Sequence, residues 1–266
     1  MAGAAALTAT AALKSGAGYV EIICPAGLLP ALTEAVPAAM VHACGEENRA
    51  QLGAADHDAI VAIAARANAM VIGPGLGVSS GEPWLPRLLM ELQDDYPELP
   101  LVLDADGLNQ LAASCVDLNI CAPTMILTPH PGEAARLLRW PSAAAVQADR
   151  VGAVASLVQA SSATILLKGA GTLVQQAGED CWQNHSGNAG MATAGSGDVL
   201  SGHLGALLAS SLAPFNAARL GAYLHGRAGD LFAAEWGMDG LTATDLAAWI
   251  SKAMREWRAN PTEVPA

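Results

Sequence analysis

The stretch Asn188-Ala-Gly190-Met-Ala-Thr193-Ala-Gly195-Ser-Gly197-Asp198-Val-Leu-Ser201-Gly202 concentrates the residues best suited to chemistry. Glycines at 195 and 197 let backbone N–H groups at a helix N-terminus converge on an anion, and the helix dipole favours negative charge there. If that anion is a transferring phosphoryl group, Asp198 stands in the first turn to take the proton of an attacking hydroxyl. The same residues also suit a plainer part, because Asp is a preferred helix cap and glycine relieves crowding.

Other polar clusters follow short apolar runs. Asp104-Ala-Asp106-Gly107 ends the strand-like segment from Pro100 to Asp104, and Thr128-Pro-His130-Pro-Gly-Glu133 ends the one from Met125 to Thr128. Gly73-Pro-Gly-Leu-Gly77 follows the run from Ala69 and reads as a ligand loop. In an open α/β sheet the C-terminal strand edge is where ligands bind. Asp104 and Asp106 either cap the next helix or hold Mg²⁺ beside phosphates. His130 either meets a ligand or stiffens a turn ahead of a helix starting near Gly132, with Glu133 as first-turn charge.

The elements needed to position these clusters alternate along the chain, the pattern of a mostly parallel sheet between helix layers. A helix over about residues 4–15 stops at Gly16 and Gly18, and Tyr19 to Ile23 follows as a strand. A helix near Leu28–Ala35, a strand near Met40 and a helix over Asp58–Ala67 precede the run at Ala69. Thr164–Lys168 is a further strand, Gly169–Gly171 a tight turn, and Thr172–Gln176 with Cys181–Asn184 a hairpin-like tail to the sheet. Long helices follow: one opened by Gly195-Ser-Gly-Asp198, one over about Asn216–Glu235, and a last over Ala243–Trp257 with Thr242 as its cap.

The length admits one α/β domain or two small ones, and the alternation of elements from end to end without a linker reads as one domain spanning residues 1–266. Just over half the residues are apolar and 14% are charged, so there is ample core and little disorder. The net charge of −12, with only 13 Lys and Arg, argues against nucleic acid as a partner. An anionic ligand must then be held by oriented N–H groups and one or two local cations. Cys24, Cys44, Cys115, Cys121 and Cys181 are odd in number and lack a C-x-x-C pair, which points to reduced thiols in the cytoplasm. No histidine spacing suggests zinc, and no structural metal is expected. The uncharged stretch Val199–Ala218 reads as a buried helix broken at Pro214 rather than a membrane span.

Ala194-Gly-Ser-Gly-Asp-Val-Leu-Ser-Gly-His-Leu204 resembles the signature of ADP/ATP-dependent NAD(P)H-hydrate dehydratases, members of the ribokinase-like superfamily. Gly3-Ala4 through Ser15-Gly-Ala-Gly18, Gly73-Pro-Gly-Leu-Gly77, Asp104-Ala-Asp106, Thr128-Pro-His-Pro-Gly-Glu133 and Lys168-Gly-Ala-Gly-Thr172 resemble that family in the same order. The resemblance implies a three-layer αβα sandwich with a mostly parallel central sheet. It also implies that Ala4, Gly77 and His130 line a hydrated dinucleotide, NADHX or NADPHX, with Asp198 facing it as catalytic base. Lys168, Gly169, Ala170, Gly171, Thr172 and Gly197 would contact ADP, accompanied by Mg²⁺. As a strand-end lysine, Lys168 also suits a solvated tip.

The implied activity is ADP-dependent dehydration of hydrated NADH or NADPH, with AMP and phosphate released. The resemblance further implies a homotetramer and, in many bacterial relatives, an epimerase domain upstream. Members ordinarily begin with a strand ahead of the helix matching Gly3–Ser15, so one strand of the fold is expected to be missing. A vitamin-precursor kinase of the hydroxyethylthiazole or hydroxymethylpyrimidine type, using Asp198 in the same way, is the main alternative. A nucleotide-binding module without turnover is another.

Overall fold

The computed structural model describes residues 1–77 and 83–259. Helix α1 (Ala2–Lys14) leads into strand β1 (Glu21–Pro25), helix α2 (Leu29–Ala35) and strand β2 (Met40–Cys44). Then come α3 (His57–Ala64), β3 (Met70–Ile72), α4 (Leu85–Asp95), β4 (Leu101–Leu103), α5 (Ala105–Ala113), β5 (Met125–Leu127), α6 (Pro131–Leu138), α7 (Ala143–Ala148), α8 (Arg150–Ala160) and β6 (Thr164–Leu167). Strands β7 (Leu173–Gln175) and β8 (Trp182–Gln183) lead to α9 (Ser196–Ala209), α10 (Pro214–Trp236) and α11 (Ala243–Ala259).

Six strands form one sheet in the order β3-β4-β5-β6-β7-β8. The pairs from β3 to β6 are parallel, and β7 and β8 add antiparallel. Apart from Thr164 at the start of β6, these parallel strands are wholly apolar because both sheet faces are covered. Strand side chains alternate in direction, so neighbours in sequence enter opposite cores. Leu103, Leu127, Ile165 and Leu167 pack with Leu88, Leu108, Ala134 and Leu157 of the helices on one face. Val102, Ile126, Leu166 and Val174 pack with Leu204, Leu224 and Ile250 on the other. These layers are the αβα sandwich that the sequence implied.

Strand β1 starts at Glu21, two residues later than expected, and the ring of Tyr19 stands in solvent. β1 and β2 pair with each other in a separate two-stranded sheet. Between them and β3 lies a cavity of about 320 Å³, lined by Ile22 and Cys24 on one side and Val71 and Ile72 on the other.

The uncharged stretch after Asp198 is two helices: α9 ends at Ala209, and Pro214 opens α10 at a position where its missing N–H costs nothing. Among the described residues no helix is long and apolar enough to cross a membrane. Thr242 caps α11 as expected: its Oγ1 accepts from the Asp245 N–H while its own N–H donates to the Asp245 carboxylate.

Helix α9 is buried over most of its length and lies directly on α1. A Cβ at Gly202 would fall 1.9 Å from the Thr8 carbonyl oxygen, so the two backbones touch at that point. Gly202→Ala therefore forces the helices apart, an overpacking defect costing about 1–3 kcal/mol. Denaturant unfolding is expected to show that loss, and an alanine variant as stable as the parent would show that the two helices separate freely.

Candidate active site

The register of the parallel strands aligns their C-terminal ends. Ile72, Leu103 and Leu127 lie side by side, so Gly73, Asp104 and Thr128 leave the sheet at one edge. The chain continues this alignment outside the strands, with Asp104 N–H donating to Ile72 O, Thr128 N–H to Leu103 O and Lys168 N–H to Pro129 O. Four of the clusters found in the sequence thus meet on one edge.

At its centre Asp104 is almost fully enclosed, at 1% exposure. Its Oδ1 accepts from Lys168 Nζ at 2.5 Å and its Oδ2 from Ser201 Oγ at 2.6 Å. Glu133 Oε2 lies 3.8 Å from the same ammonium, and burial raises the Glu133 carboxyl above its ordinary range. Lys168 is therefore a held cation and not a solvated tip. Asp106 is turned elsewhere, its Oδ2 accepting from the Gly77 N–H, and Gly77 O accepts from Gln110. The two aspartates are thus committed to separate partners and do not form a ligand pair. Among the described residues no group of three His, Cys, Asp or Glu is arranged to hold a metal ion.

His130 caps α6, with Nδ1 accepting from the N–H groups of Gly132 and Glu133 while its own N–H donates to the Glu133 carboxylate. The ring is half-exposed, and its pKa is lowered by burial and then by the nearby charges of Lys168 and Arg136. Its Nε2 lies 3.2 Å from Glu133 Oε1, so both ring nitrogens face the first turn of α6. The turn from Gly169 to Thr172 is held from below by Arg150, whose guanidinium donates to the carbonyls of Leu167, Lys168 and Gly171. Thr172 Oγ1 closes the turn on Gly169 O.

Over this edge stands the start of α9. Gly195 sits at φ +89°, in the left-handed region that favours glycine, and no side chain caps the helix. The first N–H groups of a helix have no carbonyl within it. Ser196 N–H finds Thr193 O, so Gly197 and Asp198 carry the free amides. At Gly197 a Cβ would come within 3.5 Å of Lys168 Nζ, so the missing side chain keeps the amide and the ammonium on one open surface. That shape suits an anion.

The Asp198 carboxyl is half-buried beside them, its pKa raised to about 6 by desolvation first and by Asp104 next, against the opposing pull of Lys168. Thr8 Oγ1 donates to Asp198 O from α1, 3.1 Å away. Ala4 lies one helical turn before Thr8 and is itself buried, so little of it is open to a ligand. Sequence reasoning overlooked Thr8, Ser201 and Arg150. Ser201 follows Asp198 by three residues and so shares its helix face, a spacing that gave some signal. Arg150 and Thr8 carried none.

The layered sheet with its site at this edge defines a ribokinase-like fold. A ribokinase-like superfamily protein from Enterococcus faecalis superposes with a TM-score of 0.77 at 26% identity, over 96% of this chain and 83% of that one. The structure titled ADP/ATP-dependent NAD(P)H-hydrate dehydratase from Bacillus subtilis, co-crystallized with ATP/Mg²⁺ and soaked with CoA, gives 0.71 at 26% identity, over 97% and 88%. The NAD(P)H-hydrate dehydratase family model matches residues 1–252. The chain belongs to that family. A bifunctional NAD(P)H-hydrate repair enzyme from Moorella thermoacetica is 40% identical over 95% of this chain, which spans 47% of that relative. An ADP-dependent (S)-NAD(P)H-hydrate dehydratase from Neisseria meningitidis is 44% identical over 68% of this chain and 60% of its own length. The chain thus covers about half the length of the bifunctional relatives it matches.

The Lys168–Asp104 pair gives a direct test of the buried network. Lys168→Met leaves a buried carboxylate without its cation, which typically costs about 3–5 kcal/mol. Urea unfolding should report that loss, with part of it restored in Lys168→Met/Asp104→Asn, where the uncompensated charge is gone. Additive losses in the double variant would show that the two side chains do not act as a pair.

Proposed function

We propose that this chain dehydrates the S form of hydrated NADH and NADPH at the expense of ADP, releasing AMP and phosphate and returning the reduced nicotinamide. The observation that carries this reading is the start of α9, where free amides of Gly197 and Asp198 adjoin Lys168 and a carboxyl poised near pH 6. Such a constellation serves phosphoryl transfer, in which catalysis is largely positioning and charge stabilisation.

The substrate's chemistry supplies the rest. Its hydroxyl sits on C6 of the reduced ring beside the ring nitrogen, and hydroxide leaves poorly. The Asp198 carboxylate takes the hydroxyl proton as the oxygen attacks the terminal phosphorus of ADP, and AMP departs as the bridging P–O bond breaks. Lys168 and the two amides hold the charge on the transferring group. The ring nitrogen's lone pair then expels phosphate, and loss of the C5 proton restores NADH or NADPH. An aspartate held near 6 is a stronger base than an ordinary one yet stays largely ionised at neutral pH.

In this reading Lys168, Gly169, Ala170, Gly171, Thr172 and Gly197 face the adenine nucleotide, while Ala4, Gly77 and His130 border the hydrated dinucleotide. Their support is their place along the strand edge and at the α9 start, except for Ala4, which is buried on α1 one turn before Thr8, the residue bonded to Asp198 O, and so is the least supported of them. Mg²⁺ would enter on the nucleotide's own phosphates, since Asp104 and Asp106 are engaged elsewhere. The setting is cytoplasmic and the assembly a homotetramer, and in a longer polypeptide an epimerase domain precedes this one.

Incubating hydrated NADH with ADP, and separately with ATP, should restore NADH fluorescence. Phosphate transfer from ATP to a vitamin precursor, with no NADH recovered, would instead assign a kinase. Asp198→Asn should lower turnover roughly 10²–10⁴-fold while ADP still binds, and near-normal turnover would remove the base assignment. The pH profile is a separate expectation: because the ionised carboxylate is the active form, kcat/KM should fall as pH drops through about 6.

A further inference from the structure

His225 has no part in the site as described above. It lies in the middle of α10, which packs across α9, and its ring is buried. Its Nε2 stands 3.0 Å from the main-chain oxygen of Ser196, while Ser196 Oγ is farther, at 3.5 Å. A carbonyl oxygen only accepts, so the ring proton resides on Nε2 and is donated to it. Burial pushes the imidazole pKa down to about 4, which keeps the ring neutral at pH 7.

The Ser196 oxygen and the Gly197 N–H are opposite ends of one planar trans peptide group. A donor that fixes and polarises the oxygen therefore orients the N–H at the other end and makes it a stronger donor. That N–H is one of the two free amides at the start of α9. Gly195 is in a left-handed conformation, Gly197 has no side chain and no side chain caps the helix, so beyond the backbone hydrogen bonding of α9 itself His225 is the side chain bonded to this peptide oxygen.

We propose that His225 is a positioning residue of the anion site, locking the Ser196–Gly197 peptide so that the Gly197 N–H is aimed at the terminal phosphate of the nucleotide. This rests on the phosphoryl-transfer reading of the α9 start. It deepens that reading by naming what holds the amide in place, from the helix on the far side of α9.

The test compares the full chain with His225→Leu, which keeps bulk but has no donor, and His225→Gln, whose side-chain N–H can reach the same oxygen. Turnover of hydrated NADH with ADP is expected to fall roughly 10- to 100-fold in the leucine variant, the usual cost of losing an outer-shell partner. KM for hydrated NADH should stay unchanged, the deficit should be constant across neutral and alkaline pH, and glutamine should restore most of the rate. The Gly197 amide resonance should move in the leucine variant and return toward its original position with glutamine.

Leucine at wild-type turnover would overturn the proposal. So would a glutamine variant that regains thermal stability but not rate, since that marks a packing role alone. Should the leucine variant not fold, the wild type still decides by nuclear magnetic resonance. Its imidazole must carry the proton on Nε2, slow to exchange, and a proton on Nδ1 refutes the proposal. A wild type that neither binds ADP nor releases NADH fails the underlying reading, and this inference falls with it.

Discussion

A carboxylate sealed inside a protein is tolerated only when its charge is matched and its lone pairs are occupied. Asp104 meets that condition through three separate elements: it ends β4, its cation Lys168 ends β6, and its hydroxyl donor Ser201 comes from α9. The first two leave the sheet at its C-terminal edge, and the third belongs to the helix whose N-terminus carries the free amides. Satisfying Asp104 therefore fixes the height of α9 over the strand edge. This tie adds to the packing of α9 on α1 and on the sheet, and it brings the free amides at Gly197 and Asp198 beside the lysine.

The same network sets the chemistry of Asp198. Desolvation and two other aspartates push its pKa up, and Lys168 and the chain's amino terminus pull it down, with desolvation the largest of these. Lys168 is already half spent on Asp104, so it cannot hold Asp198 down at the value of an ordinary exposed carboxyl. A base of intermediate strength follows from sharing one cation among buried acids. A ligand phosphate would add further negative charge, and the amides at the helix start are the groups placed to offset it.

Much of this was legible in the sequence, and the reasons differ by element. The strands at Val71, Val102, Ile126 and Ile165 announced themselves as short apolar runs, because a sheet covered on both faces admits no polar alternation. The glycine pair before Asp198 announced a helix start with a left-handed glycine and open amides. The helices α4, α7 and α8 were not foreseen, since no ligand cluster drew attention to them and their periodicity competes with loop signals at Pro86 and Asp149. Arg150 was invisible for another reason: its partners are carbonyl oxygens of residues 167, 168 and 171, and a bond to the main chain leaves no matching residue type to search for. Thr8, on Asp198 O, was hidden in the same way.

By charge count alone, a chain with 25 acidic residues against 13 basic ones is poorly suited to ligands that carry several phosphates. The structure resolves this by locality. Charges beyond a Debye length of roughly 8 Å are largely screened at the surface, so the net charge of the chain counts for little inside a cleft. What an anion meets there is the end of a helix, one lysine with its charge already oriented, and backbone amides that are always dipolar and never titrate. Lysine-rich surfaces would attract any polyanion, whereas this arrangement offers attraction only to a group small enough to reach the first turn of α9.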